Sequence, residues 1–213
     1  MTVPVIIRSG GGELAGDLTV PAQPVGVVVF AHGSGSSRSS PRNRAVAEVL
    51  QRSGFATLLL DLLTEDEERL DARTGRLRFD IELLAARVRT AVEQIREHRD
   101  VPELPVGLFG ASTGAAAALV AAANDHSLRA VVSRGGRPDL AGAALRRVQA
   151  PTLLIVGSRD EQVLELNRQA KQQLAALSKI EVVEGATHLF EELGALEQVA
   201  RLAAEWFRDH LAS

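Results

Sequence analysis

Three observations predict an α/β protein built on a mixed, mostly parallel sheet. Short apolar runs recur along the chain, longer segments with helical spacing separate them, and the first twenty residues alternate like a hairpin. The hairpin pairs Val3–Arg8 with Glu13–Val20 across the Gly10–Gly12 turn. Pro21 and Pro24 close its second strand, because proline lacks the N–H that a ladder needs. Six apolar runs follow: Val25–Ala31, Ala56–Leu60, Pro105–Phe109, Arg129–Ser133, Thr152–Val156 and Ile180–Val183. Each is short and apolar nearly throughout, as strands covered on both faces require. Between them Arg42–Ser53, Phe79–Arg99, Gly114–Ala123, Val163–Leu177 and Ala195–Leu211 carry apolar side chains at helical intervals. Strand followed by helix, repeated, means parallel pairing through right-handed crossovers. No repeat, linker or shift of composition divides the 213 residues, so 1–213 is expected to be a single domain.

Composition narrows the function. Twenty-four basic residues stand against 27 acidic ones, a net charge of -3, without the basic excess that nucleic acid or an anionic membrane demands. Aromatic residues make up 3%, too few for a stacking platform. There is no cysteine, which excludes disulfides, thiolate metal sites and a thiol nucleophile. No apolar run approaches the roughly 18 residues of a membrane span, and the first ten residues lack the basic and apolar segments of a leader. The expectation is a cytoplasmic protein that handles a small molecule, with neither nucleic acid nor membrane as partner.

Ligands of an open α/β sheet bind beyond the carboxyl ends of its strands. Those ends hold His32-Gly33-Ser34-Gly35-Ser36-Ser37, Asp61, Gly110-Ala111-Ser112-Thr113-Gly114, Arg134-Gly135-Gly136-Arg137, Gly157-Ser158-Arg159-Asp160 and Gly185-Ala186-Thr187-His188. The third is a G-x-S-x-G between an apolar strand and an Ala-rich helix. That setting suits a serine forced into a tight turn, where flanking glycines avoid clashes and the helix dipole faces the hydroxyl. A serine nucleophile needs a base, and the base needs an orienting carboxylate. His188 and Asp160 supply them in the chain order Ser, Asp, His. Of the other histidines, His98 and His210 end amphipathic helices, His126 sits in a polar loop and His32 precedes glycines. Asp160 has a competing reading as a helix cap, with Glu161 as the nearest substitute orienter. The Thr113 and Ser34 amides are the expected oxyanion donors, Gly33 letting the first loop turn inward. A phosphate-cradling loop at Gly33–Gly35 is the weaker reading, because no G-x-G-x-x-G or Walker pattern is present.

Together these motifs resemble the α/β-hydrolase superfamily. Within it the chain resembles the dienelactone hydrolase family, in a small serine-triad branch, through His32–Ser37, Phe109-Gly110-Ala111-Ser112-Thr113-Gly114-Ala115-Ala116 and Gly185-Ala186-Thr187-His188-Leu189-Phe190-Glu191. The resemblance spans essentially the whole chain. It implies a core sheet of about eight strands with helices on both faces, a Ser-Asp-His triad, and hydrolysis of esters or lactones without metal or cofactor. The dienelactone enzyme proper uses a cysteine nucleophile, whereas this chain has Ser112.

Between the fourth and fifth parallel strands, residues 134 to 151 suffice for a loop and a short helix, Asp139–Val148, and leave no room for a cap domain. The charged stretch Asp61–Arg78 reads first as a solvated face, with a lid bordering the entrance as the alternative, since it leaves the sheet at the active edge. Arg134 and Arg137, with Arg38 and Arg42, form a candidate cationic rim for a substrate carboxylate. The competing reading pairs them with Asp61, Asp139 or the charged stretch. Trp206 and Phe207 read as core, and so does the Ala115–Ala118 run. The expected activity is hydrolysis of small carboxylic esters or lactones through an acyl-enzyme. A thioesterase or perhydrolase using the same triad, and a non-catalytic binding protein on the same fold, are the alternatives.

Overall fold

The computed structural model describes residues 2–101 and 103–211. Eight strands form one sheet: β1 (Thr2–Ser9), β2 (Gly12–Thr19), β3 (Gly26–Ala31), β4 (Phe55–Leu60), β5 (Val106–Ala111), β6 (Ala130–Arg134), β7 (Thr152–Gly157) and β8 (Ser178–Val183). Their spatial order is β1-β2-β4-β3-β5-β6-β7-β8. The hairpin pairs antiparallel, β2 lies antiparallel to β4, and the other six strands are parallel. From β3 the chain steps outward to β4 and then returns to β3's other side as β5. The connections after β3 and β5 therefore leave in opposite directions, which opens a crevice at their carboxyl ends.

Side chains of β3 alternate between two cores. Val27, Val29 and Ala31 join Leu58, Leu108 and Val131 under α3 (Ile81–Arg96) and α4 (Thr113–Asn124). Val28 and Phe30 join Phe109, Val132 and Ile155 under α1 (Pro41–Arg52) and α6 (Ala195–Leu211). Helix α4 is apolar all round, and Ala115–Ala118 are fully buried. Small side chains let it sit close against the sheet, which places its N-terminus at the crevice. Helix α5 (Glu161–Gln173) packs beside β7 and β8.

Three expectations change. Helix α3 starts at Ile81 because the Asp80 carboxylate accepts the Leu83 N–H at 3.0 Å, while Leu77–Phe79 form a separate 3₁₀ turn. The expected short helix over Asp139–Val148 is a pair of 3₁₀ turns spanning Pro138–Arg147, broken at Gly142 with φ 51°. The charged stretch contains a helix, α2 (Glu65–Thr74). Thr64 and Glu67 cap it reciprocally at 3.2 and 2.8 Å, and Gly75 ends it at φ 64°.

Candidate active site

Ser112 stands between β5 and α4 at φ 51° and ψ −119°. Such a conformation costs a side-chain-bearing residue on the order of 1–3 kcal/mol, so its surroundings must enforce it. Its N–H donates to the Arg134 carbonyl at 3.2 Å, and its carbonyl accepts from Ala115 and Arg137 N–H, both at 3.1 Å. A Cβ at Gly110 would lie 2.7 Å from the Ala115 nitrogen, and one at Gly114 would fall on the Ala31 and His32 carbonyls. Both flanking positions of the turn thus need glycine for space.

Asp160 occupies the cap position of α5, yet its carboxylate caps no helix amide. Oδ2 instead lies 2.5 Å from His188 Nδ1, with the Asp160 side chain 15% exposed and His188 38%. The loops carrying Asp160 and His188 are tied together. Ser158 N–H donates to Val183 O and Arg159 N–H to Ala186 O, both at 2.9 Å, and Gly185 N–H donates to Ser158 Oγ at 2.8 Å. A Cβ on Gly135 would come within 3.6 Å of His188 Cε1. The imidazole therefore lies against the residue after Arg134, whose carbonyl holds the Ser112 amide. The structure brings Ser112, Asp160 and His188 to one end of β5, β6 and β7.

Gly33 crosses directly over the serine: a Cβ there would meet Ser112 Cβ at 3.1 Å. The Thr113 amide, first in its helix, has no hydrogen-bond partner among the described residues. The Ser34 amide donates to the Thr113 hydroxyl at 2.8 Å. One expected oxyanion donor is thus free, and the other is occupied by the neighbouring side chain.

His32, read from the sequence only as the residue before the glycines, fixes this loop. It is 8% exposed. Its Nε2 accepts the Leu62 N–H at 3.1 Å, so the proton is on Nδ1, which donates to the Gly33 carbonyl at 2.9 Å. Burial pushes the imidazole below its ordinary pKa, against the opposing pull of Gly33 and Asp61.

The four arginines of the expected rim separate. Arg38 donates from its backbone to Asp61 at 2.7 Å, and its guanidinium pairs with Asp61 and, at 3.6 Å, with Asp17. Arg137 forks onto Asp139 at 2.9 and 2.8 Å. Both have acids of their own. Arg42 reaches Glu191 only at 3.4 Å, and its Nε is buried without a partner. Arg134 is 8% exposed, and among the described residues its Nε and Nη1 meet no acceptor. Burial, and then the Arg42 charge, lower its pKa to about 10.

Beside the elbow lies a cavity of about 610 Å³ lined by residues that include Ser34, Ser37, Arg42, Leu63, Glu68 and Thr113. Helix α2 supplies its far wall through Glu68, Asp71 and Ala72. Burial and the nearby Asp61 charge raise the Glu68 pKa. Among the described residues no three His, Asp or Glu side chains gather as a metal ion would require, and no helix is long and apolar enough to cross a membrane.

Comparison with known proteins follows the same lines. The α/β-hydrolase domain family matches residues 24–205. The crystal structure of dienelactone hydrolase from Anabaena variabilis superposes with a TM-score of 0.97 at 54% identity, covering 99% of this chain and 98% of that one. Est1E from Butyrivibrio proteoclasticus, solved with ferulic acid bound, shares the fold at 18% identity, with a TM-score of 0.81 over 98% of this chain and 100% of that one. Two Mycobacterium tuberculosis proteins, provisionally named phosphoribosyl transferases, are 61% identical over 208 residues. That match takes in 97% of this chain and 46% of theirs, so the chain spans about half the length of these curated relatives.

Proposed function

The chain belongs to the α/β-hydrolase domain family, on its dienelactone hydrolase-like side, and from that premise we propose that it is a serine hydrolase of small carboxylic esters or lactones. The observation that carries the reading is the 2.5 Å Asp160–His188 bond beside a serine held at positive φ between strand and helix. With Nδ1 engaged by Asp160, His188 Nε2 takes the proton as Ser112 Oγ attacks the acyl carbon. Asp160 orients the ring and stabilises the imidazolium. The Thr113 amide binds the developing oxyanion, and the Ser34 amide joins it by exchanging the Thr113 hydroxyl for the substrate oxygen. The imidazolium then protonates the leaving alcohol. Water, deprotonated by the same ring, releases the acid from Ser112.

Between β6 and β7 there are only short 3₁₀ turns, so loops and α2 border the site and small, accessible esters fit it best. The transferase name of the mycobacterial relatives belongs to chains about twice as long as this one. Ser112→Ala should lower turnover of p-nitrophenyl acetate by roughly 10³ to 10⁶, and a fluorophosphonate should label the wild-type chain at Ser112. Unchanged turnover would remove Ser112 from the mechanism. Absent labelling together with absent turnover would leave a binding protein. Parallel rates on matched oxygen esters and thioesters, and with peroxide as acceptor, separate the ester reading from a thioesterase or perhydrolase.

A further inference from the structure

The turn that clamps Ser112 is itself held by a side chain that has no part in the chemistry. Arg134 and Arg137 grip the Ser112 backbone from either side, through the Arg134 carbonyl and the Arg137 N–H. The two residues between them are docked elsewhere. Gly135 N–H donates to the Ile155 carbonyl of β7 at 2.8 Å. The Gly136 carbonyl accepts from Asn167 Nδ2 of α5 at 3.0 Å. Because β7 ends at Gly157 and α5 starts at Glu161, both supports belong to the elements that flank Asp160. Gly135 also lies against His188, where a Cβ would come within 3.1 Å of the His188 carbonyl oxygen. One turn therefore touches the serine, the histidine and the two elements around the aspartate.

Packing does not explain an asparagine at this place, about two turns along the helix that Asp160 begins. The other buried positions of α5, Val163, Leu164 and Ala170, are apolar. Asn167 is 0% exposed, and its Oδ1 has no partner among the described residues. A buried acceptor left unpaired is destabilising. What the side chain supplies is a donor. Its Nδ2 is shared between the Val163 carbonyl of its own helix, at 2.7 Å, and the Gly136 carbonyl, which fixes the amide and aims it at the turn. The opposite side of Gly136 is closed by contact: a Cβ there would fall on Ser133 Oγ and lie 2.7 Å from Ala115 Cβ. The turn is thus blocked toward β6 and α4, and the Asn167 bond holds it toward α5.

We propose that Asn167 is a positioning residue for acyl transfer: its bond to the Gly136 carbonyl fixes the Arg134–Arg137 turn, and through that turn holds Ser112 in line with His188. The inference rests on the serine-hydrolase reading. Ser112 keeps its strained φ of 51° only while its neighbours enforce it. Without the Asn167 bond the turn is free to move, the serine backbone relaxes and Oγ leaves the path of proton transfer to His188. Asn167 does not line the cavity beside the elbow, so ester binding is untouched. The loss therefore falls on kcat and leaves KM in place.

The test compares p-nitrophenyl acetate turnover and the kinetics of fluorophosphonate labelling in the wild type, Asn167→Leu and Asn167→Ala. Both substitutions remove the donor. One overfills the site and the other leaves room in it, so the second serves if the first does not fold. In each, kcat and the second-order rate constant of labelling should fall together by about 10- to 100-fold, the scale of a small misplacement of reacting groups, while KM stays within about twofold. An asparagine that only stabilises the fold gives another pattern. The melting temperature and the final labelled fraction then fall, but the molecules that label do so with the wild-type rate constant. That pattern, or a rise in KM with kcat unchanged, would overturn the positioning role and leave the serine-hydrolase reading standing. A wild type that neither labels nor turns over would overturn both.

Discussion

His32 is a titratable group on the loop that crosses Ser112, and its work is structural. It accepts one amide and donates to one carbonyl, and so ties the loop bearing Ser34 to the start of the segment after β4. Both bonds require the neutral ring in its Nδ1–H form. Burial holds its folded pKa below the ordinary value of about 6.5. Between those two values the unfolded chain binds a proton that the folded chain does not. Stability is therefore full above about pH 6.5 and declines as pH falls from there to the folded value, below which this contribution levels off. His32→Gln retains an acceptor and a donor without the titration, so its thermal midpoint should depend less on pH than that of the wild type between pH 5 and 7. Parallel slopes for the two proteins would show that the buried ring does not set the acid limb. The sequence did not reveal this role, since a histidine before two glycines has the same appearance whether it serves the loop or the chemistry. The placement of Ser112, Asp160 and His188 beyond strand ends was legible because each follows an apolar run, and their order along the chain is the one that α/β-hydrolases use. Arg134 and Arg137 looked equivalent in the sequence. Only the fold puts Asp139 in reach of Arg137 and, among the described residues, no acceptor in reach of the Arg134 Nε and Nη1.

Among the elements, the strands were the easiest to read, because two covered faces leave an apolar run with few exceptions. Helix α2 was hidden for the opposite reason. Its ten residues include a single large apolar one, Leu70, which is 54% exposed, so no apolar stripe marks it. Its markers were the Thr64-x-x-Glu67 box and Gly75, signals of helix ends rather than of a buried face. Polar anchors hold it down. Glu67 pairs with the buried Arg87 at 2.8 Å. Asp71 accepts from Arg78 Nε at 2.5 Å and from the Leu77 and Arg78 amides at 2.7 and 3.2 Å. Burial alone would raise the Asp71 carboxyl, but Arg78 and these amides hold it below the usual carboxylate range. Asp71→Asn removes the charge and weakens several bonds together, each worth about 1.5–3 kcal/mol when charged. Local opening of residues 64–80 should rise more than tenfold, seen as faster tryptic cleavage at Arg73 and Arg76 and faster amide exchange. Because α2 walls the cavity, KM for a small ester should rise as well. Cleavage at the wild-type rate would mean that α2 is held by something other than Asp71.

At the scale of the whole molecule, the core under α1 and α6 joins the helix farthest along the chain to the loop that carries His188. Phe190, two residues after His188, and Phe207 of α6 belong to one buried cluster with Phe30, Phe55 and Phe109. The Phe30 and Phe109 rings lie 4.8 Å apart and those of Phe55 and Phe207 6.1 Å. β5 makes room for Phe207 by having no side chain at Gly107, where a Cβ would come within 2.7 Å of the ring. Such a fit leaves the site unable to collapse if the ring is removed. Phe207→Ala should then cost about 3–5 kcal/mol, lowering the urea midpoint with an unchanged m-value, since the surface exposed on unfolding is nearly the same. Ser112, Asp160 and His188 sit at the carboxyl edge of the sheet, and hydrogen bonds between the β7 and β8 loops tie the last two together. Turnover in the native baseline should therefore stay within about twofold of the wild type. A fall in kcat before any unfolding would show that the core sets the position of His188 through Phe190. A midpoint shift worth less than about 1 kcal/mol would show instead that the cluster relaxes around the gap, with α6 held by its other contacts.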